Sequence, residues 1–231
     1  MVVLDRCTDR SSEIAHQLAD VVIEGGWEIE GARRNLGIRS CSGEWILEAD
    51  ADEFVPADLA REIREVIRDE RFDNYGIPVR NYIGKHYVKH GWGNGSFGKK
   101  TYKGLFRKGT KWWGDERVHP KTTYSGDERA GHNLQHGIDH FVDRDVSDMM
   151  QRLNNYTTQH ARDMVDRGEA NKIGLATAFR KFLSRFLKVY FRREAYKEKE
   201  LGIMVALCGA LYPLISHIKA GEEFERRGRQ T

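Results

Sequence analysis

This chain of 231 residues predicts an α/β protein: a doubly wound, mostly parallel sheet followed by a C-terminal helical region. Three observations predict it. Over roughly the first 70 residues, short apolar runs alternate with helix-patterned stretches, as in strand–helix–strand units. One apolar run, Trp45 to Ala49, stops abruptly in Asp50-Ala51-Asp52-Glu53. From about Asp145 to the end, apolar residues recur at helical spacing. The expected division is 1–143 for the sheet domain and 144–231 for the helical region.

The elements follow in order. Val2-Val3-Leu4 reads as a buried strand ending at Asp5, and residues 10–19 as a helix with Ser11 and Ser12 near its start. Val21-Val22-Ile23 is a second strand, closed by Gly25-Gly26. Ile29 to Ser40 is an arginine-rich helix, and Trp45 to Ala49 a third strand. Pro56 opens a helix to Asp69 whose Leu59, Ile63, Val66 and Ile67 share one face. Tyr75 to Ile83 and Thr101 to Arg107 read as strands flanking the glycine-rich segment from Gly91 to Gly98. Residues 145–167, 171–193 and 197–219 read as three helices.

Composition narrows the class. Charged residues make up 32% and hydrophobic ones 39%, as in a soluble globular protein. A net charge of +3 offers no global polycation, so a basic surface requires local clustering. Cys7, Cys41 and Cys208 are odd in number and far apart, which disfavours a disulfide framework or zinc site and suits a reducing, cytoplasmic compartment. No signal-peptide pattern is visible. The longest apolar run, Ile203 to Ile215, contains Pro213 and is expected to be too short to cross a bilayer.

Carboxylates packed as tightly as Asp50, Asp52 and Glu53 repel one another unless a cation lies among them. At the carboxyl end of a strand, Asp-x-Asp suits a hard divalent ion shared with a diphosphate. A solvated acidic turn before a helix N-terminus is the plainer reading.

Three segments in order, Asp5 to Ser11, Gly31-Ala32-Arg33-Arg34-Asn35, and Gly43-Glu44-Trp45-Ile46-Leu47 leading into Asp50-Ala51-Asp52-Glu53, resemble family 2 glycosyltransferases of GT-A fold. Later segments extend the likeness: Gly104 to Lys108, Trp112-Trp113-Gly114, Arg117-Val118-His119-Pro120, Ile138-Asp139-His140 and Arg152 to Tyr156. Their order is similar to the bacterial branch that builds lipopolysaccharide core, including β-glucosyltransferases. The resemblance implies an inverting hexosyltransferase using a nucleotide-diphosphate sugar, Mn²⁺ or Mg²⁺, and a lipid-linked or lipopolysaccharide-type acceptor. It implies that Asp5 meets the base, that Arg33, Arg34 and Asn35 lie near the nucleotide, that Asp50 faces donor sugar or ribose, and that Asp52 holds the metal. Leu4 and Cys7 depart from the common Asp and Ser. The loop after the opening strand resembles the second of such folds, so an N-terminal strand and helix are expected upstream of Met1, unless the sheet is rearranged.

The reaction needs a base for the acceptor hydroxyl. Pro120 stands where relatives often carry Glu, leaving Glu116, ahead of Asp115, as candidates; an exposed acidic turn is the alternative. Trp112 and Trp113 are candidates to stack an acceptor sugar, one of them being expected in the core. Arg107, with Tyr102 and Lys103, is a candidate for acceptor phosphates.

Other patterns carry less. Gly93 to Lys99 fits a phosphate loop, but Lys100 occupies its Ser/Thr position. His132, His136 and His140 are four apart, yet glycines undermine a helix there; His140 reads as a structural hydrogen-bonder and His119 as a neighbour of the diphosphate. From Lys172 to Lys199 nine Lys/Arg face two Glu around an aromatic stripe. That pattern fits either contact with an anionic membrane or docking on the catalytic domain. No nucleic-acid module is recognisable. Two alternatives to an enzyme stay open: an inactive GT-A scaffold and a membrane-surface module.

Overall fold

A computed structural model describes residues 1–92, 99–115, 120–170 and 174–228. Glu116, His119 and the segment from Gly93 to Gly98 lie outside the described residues. The chain forms two compact units interleaved in sequence: 1–49, 61–77 and 103–134 in the first, 50–60, 78–102 and 135–231 in the second. This division cuts across the segment 1–143.

In the first unit, β1 (Val2–Asp5) and β2 (Val22–Gly25) form a two-stranded parallel sheet, Val2 opposite Val22. Helices α1 (Ser11–Leu18) and α2 (Glu30–Ser40) follow these strands. β3 (Trp45–Leu47) pairs antiparallel with β7 (Thr101–Arg107), Ile46 opposite Phe106. Ile38, Ile46 and Phe106 make a small core there, with Trp113 packed against it. β8 (Lys111–Trp113) and β9 (Thr122–Tyr124) form a hairpin, and β10 (Ala130–Asn133) runs parallel to the start of β5 (Asn74–Ile83).

In the second unit, β4 (Glu53–Phe54) pairs antiparallel with β11 (Ile138–Asp143), which runs parallel to the remainder of β5. β6 (His86–Tyr87) folds back on β5. The hydrogen-bonded order is β3-β7-β5-β11-β4, with β6 and β10 also on β5. The α/β class and C-terminal helices are as expected, but the sheet is mixed rather than mostly parallel. The antiparallel pairs come from two- and three-residue strands too short for any periodicity to show.

α3 (Ala57–Val66) opens after Pro56 and buries Leu59 completely, worth about 2 kcal/mol of apolar transfer. α4 (Val146–Asp166) is capped by Asp145, whose carboxylate accepts the amide of Asp148 at 3.0 Å. α5 (Leu175–Leu187) continues into a π turn, Lys188–Arg192, then a 3₁₀ turn, Ala195–Glu198, and α6 (Lys199–Gly228). Gly202 sits where a Cβ would lie 1.7 Å from the Ala195 carbonyl, so only glycine lets α6 start so close to that turn. Met149, Leu153, Val205, Ala206 and Cys208 form the core of this helical layer.

The sequence expectation of an apolar stretch too short for a bilayer needs correction. The helical stretch Ala195–Gly228 is long and apolar enough to cross a membrane by length and composition, with Pro213 inside it. It also packs on α4 and α5, as a core helix does. Lys219 Nζ fastens it to α4, donating to the Asn154 carbonyl at 2.9 Å and to Thr157 and Thr158 hydroxyls at 2.9 and 2.8 Å.

Candidate active site

Asp5 ends β1, and Arg6 follows with a φ of 53°, a left-handed conformation that costs a non-glycine residue about 1–2 kcal/mol. The Asp5 carboxylate is mostly buried, its side chain 16% exposed. It accepts from Arg33 Nη1 at 3.0 Å and from the Trp27 amide at 3.2 Å. Burial opposes its ionisation, but the Trp27 amide, the Arg6 hydrogen bond and the charges of Arg6 and Arg33 together hold its pKa below the usual value.

α2 delivers three expected residues to different tasks. Gly31 lets the helix start against β8: a Cβ there would lie 1.8 Å from the Gly114 carbonyl. Arg34 donates to Glu30 at 2.7 Å and to Glu48 at 3.0 Å while lying 4.7 Å from the Trp113 ring centroid. Asn35 exchanges two hydrogen bonds with Trp113, donating to its carbonyl at 2.8 Å and accepting its amide at 2.9 Å. Glu48 also takes Lys111 Nζ at 2.6 Å, a lysine whose side chain is only 2% exposed. Arg34 and Asn35 therefore shape the first unit, while Arg33 reaches Asp5.

Arg107, a candidate for acceptor phosphates, is engaged within the first unit. It pairs with Glu44, donates to the Phe72 carbonyl at 3.3 Å and covers the Trp45 ring at 4.7 Å. Lys103 pairs with Glu128 at 2.6 Å. Trp113 packs between the cations of Arg34 and Lys111, whereas Trp112 is 40% exposed, so the expected split between core and surface falls between these neighbours. Asp115 lies exposed just after β8.

The second unit holds the acidic turn. Glu53 closes it by accepting the Asp50 amide at 2.8 Å, and burial raises the Glu53 pKa despite nearby Lys99. Lys99 Nζ stands 3.4 Å from Asp50 Oδ2. Asp52, half exposed, points Oδ2 at His140 Nε2, 3.2 Å away. The sequence left His140 as a structural hydrogen-bonder; 88 residues separate it from Asp52, and no local signal links them.

One amide decides what that contact can hold. Asn81 donates Nδ2 to the Lys99 carbonyl at 2.9 Å, which leaves its Oδ1 facing His140 Nδ1 at 2.9 Å. Nδ1 must therefore carry a hydrogen, and a neutral ring turns the Nε2 lone pair toward a carboxylate. Two acceptors at that distance repel unless a proton or a cation stands with them. No group of three or more His, Cys, Asp or Glu able to hold a metal occurs among the described residues. A two-residue O,N set with an ordered partner behind the histidine still fits a hard ion that keeps waters and takes substrate phosphates as its other ligands.

An α/β body with strand-end carboxylates, one of them set against a histidine, has the makings of a group-transfer enzyme. A sequence model of glycosyl transferase family 2 matches residues 1–126, and the chain belongs to that family. It is a glycosyltransferase with the GT-A fold, and members of the family commonly use a divalent metal. A comparison with curated proteins found no match.

Proposed function

We propose that this glycosyltransferase is inverting and metal-dependent, moving a hexose, with glucose the expected one, from a nucleotide-diphosphate sugar to a cell-envelope glycan such as lipopolysaccharide inner core. The contact between Asp52 and His140 carries the reading. Asp52 and His140 would hold Mn²⁺ or Mg²⁺, and Asn81 keeps the imidazole in the tautomer that offers Nε2. Bound there, the ion supplies neutralisation of the departing diphosphate. Asp5 accepts from the base, and Arg33, which already reaches Asp5, adds positive charge beside it. Lys99 screens Asp50 for its contact with sugar or ribose.

Proton removal from the acceptor hydroxyl falls to Asp115 or Glu116 in this reading. Exposed Trp112 offers an aromatic face to the acceptor ring. The place of action is cytoplasmic, peripheral on the inner face of the cytoplasmic membrane, where a lipid-linked acceptor is presented.

The test is hydrolysis of a panel of nucleotide-diphosphate sugars with and without Mn²⁺. Wild-type turnover should need the metal, and Asp52→Ala should lower it by about 10²-fold or more, with His140→Ala also reduced. Turnover indifferent to Mn²⁺ and to Asp52→Ala would overturn the assignment.

A further inference from the structure

The exposed face of α5 is an odd surface for a water-soluble helix. Leu175, Phe179, Leu183, Leu187 and Phe191 recur every fourth residue and are between 45% and 66% exposed. The helix already has a buried side: Ala178 is enclosed, and Phe186 and Tyr190 pack on the core formed with α6. A second apolar stripe is thus left uncovered, and five large side chains in one row exceed the scattered surface apolar residues of ordinary proteins.

Charge says what covers it. No Asp or Glu occurs from Leu175 to Arg193, whereas Arg180, Lys181, Lys188 and Arg192 are exposed. None of these four forms an ion pair among the described residues. Beyond the helix end, Arg192 lines a recess of about 200 Å³ with Lys89, His90, Lys100 and Arg193, against a single acid, Glu194. An exposed apolar row on a helix whose other exposed positions carry cations and no acid matches the two layers of a lipid surface, acyl chains below and anionic headgroups above.

We infer that α5 and its π turn form an in-plane binding site for anionic phospholipid bilayers. Leu175, Phe179, Leu183, Leu187 and Phe191 enter the acyl boundary, Arg180 flanks them at headgroup level, and Lys181, Lys188 and Arg192 add positive charge that attracts the helix to an anionic surface. The inference rests on the peripheral location proposed above and names the surface that provides it, but it does not need the transfer reaction, because the surface exists without donor, metal or acceptor.

Flotation of the full chain with vesicles, in the absence of metal and nucleotide, tests it. Vesicles of phosphatidylcholine with phosphatidylglycerol should retain the protein, pure phosphatidylcholine far less, and added salt should release it. Each cation removed should weaken partitioning about fivefold, so Arg180→Gln/Lys181→Gln/Lys188→Gln should lower it by about two orders of magnitude. Leu183→Ser/Leu187→Ser should lower it comparably; both variants change exposed residues, and a far-ultraviolet dichroism spectrum like wild type would show that they fold. No uptake by anionic vesicles, or uptake unchanged in both variants, would overturn the inference. So would self-association in solution abolished by Leu183→Ser/Leu187→Ser without vesicle binding, which would give the stripe to a second copy of this chain. Donor hydrolysis is read separately, so failure here leaves the transferase reading intact.

Discussion

Asn35 and Trp113 lie 78 residues apart yet exchange paired hydrogen bonds like neighbours in a sheet. An Arg-Asn pair reads easily as nucleotide contacts from sequence, because a list of residues cannot show which polar groups are already engaged. Here Arg34 and Asn35 fasten α2 to β8, and only Arg33 of the trio reaches Asp5. Arg107 is likewise engaged, by Glu44 and the Phe72 carbonyl, and His140 makes hydrogen bonds, to Asn81 and Asp52, as the sequence led one to expect. The network behind Trp113 gives a measurable consequence. Glu48→Ala strips the buried Lys111 of its carboxylate and should cost about 3–5 kcal/mol in urea unfolding. Adding Lys111→Met should recover most of that loss, since an apolar pair needs no compensation; a double variant as unstable as the single one would refute this account.

At the scale of elements, the long periodic segments were legible. α3, α4 and α6 lie where apolar spacing put them, with ends shifted by a few residues except for the longer carboxyl end of α6. The short strands β4, β6, β9 and β10 were not, because two to four residues carry no period and their partners are remote in sequence. The 3₁₀ turn before α6 was hidden for a related reason. It is organised by Glu198, which is buried and accepts from the Lys89 and His90 amides at 2.8 and 2.7 Å and faces His86 Nε2 at 2.6 Å. Burial works against its ionisation, but His86 and the two amides outweigh it and hold its pKa low. A carboxyl with a depressed native pKa stabilises the fold above the ordinary glutamate range and loses that contribution as pH falls through its native value. Glu198→Ala should therefore cost about 2–3 kcal/mol at pH 7. The gap to wild type should narrow below about pH 4 in urea titrations; a constant gap would mean that the carboxylate charge is irrelevant there.

For the molecule as a whole, the sequence carried the class and the family well, since three ordered motifs and an alternating pattern survive without knowledge of contacts. It carried the site less well, because the pairing of Asp52 with His140 depends on β4 and β11 lying side by side. Ligand linkage offers a test on the intact chain. Mn²⁺ with a nucleoside diphosphate at about 100 times its Kd should add about 2.7 kcal/mol and raise the melting temperature by about 5–10 °C. Asp52→Ala should show no such rise, and an equal rise in both would place the binding elsewhere.

The π turn at Lys188–Arg192 has a geometric consequence. Side chains spaced by four drift about 40° around an α-helix axis at each step, so an unbroken helix would wind Phe191 away from Leu187. A π turn holds more than four residues per turn, so the fourth residue there falls short of a full turn and the drift changes sign. The local widening therefore acts as a vernier that winds back part of the drift accumulated along α5, at the point where the chain turns toward α6.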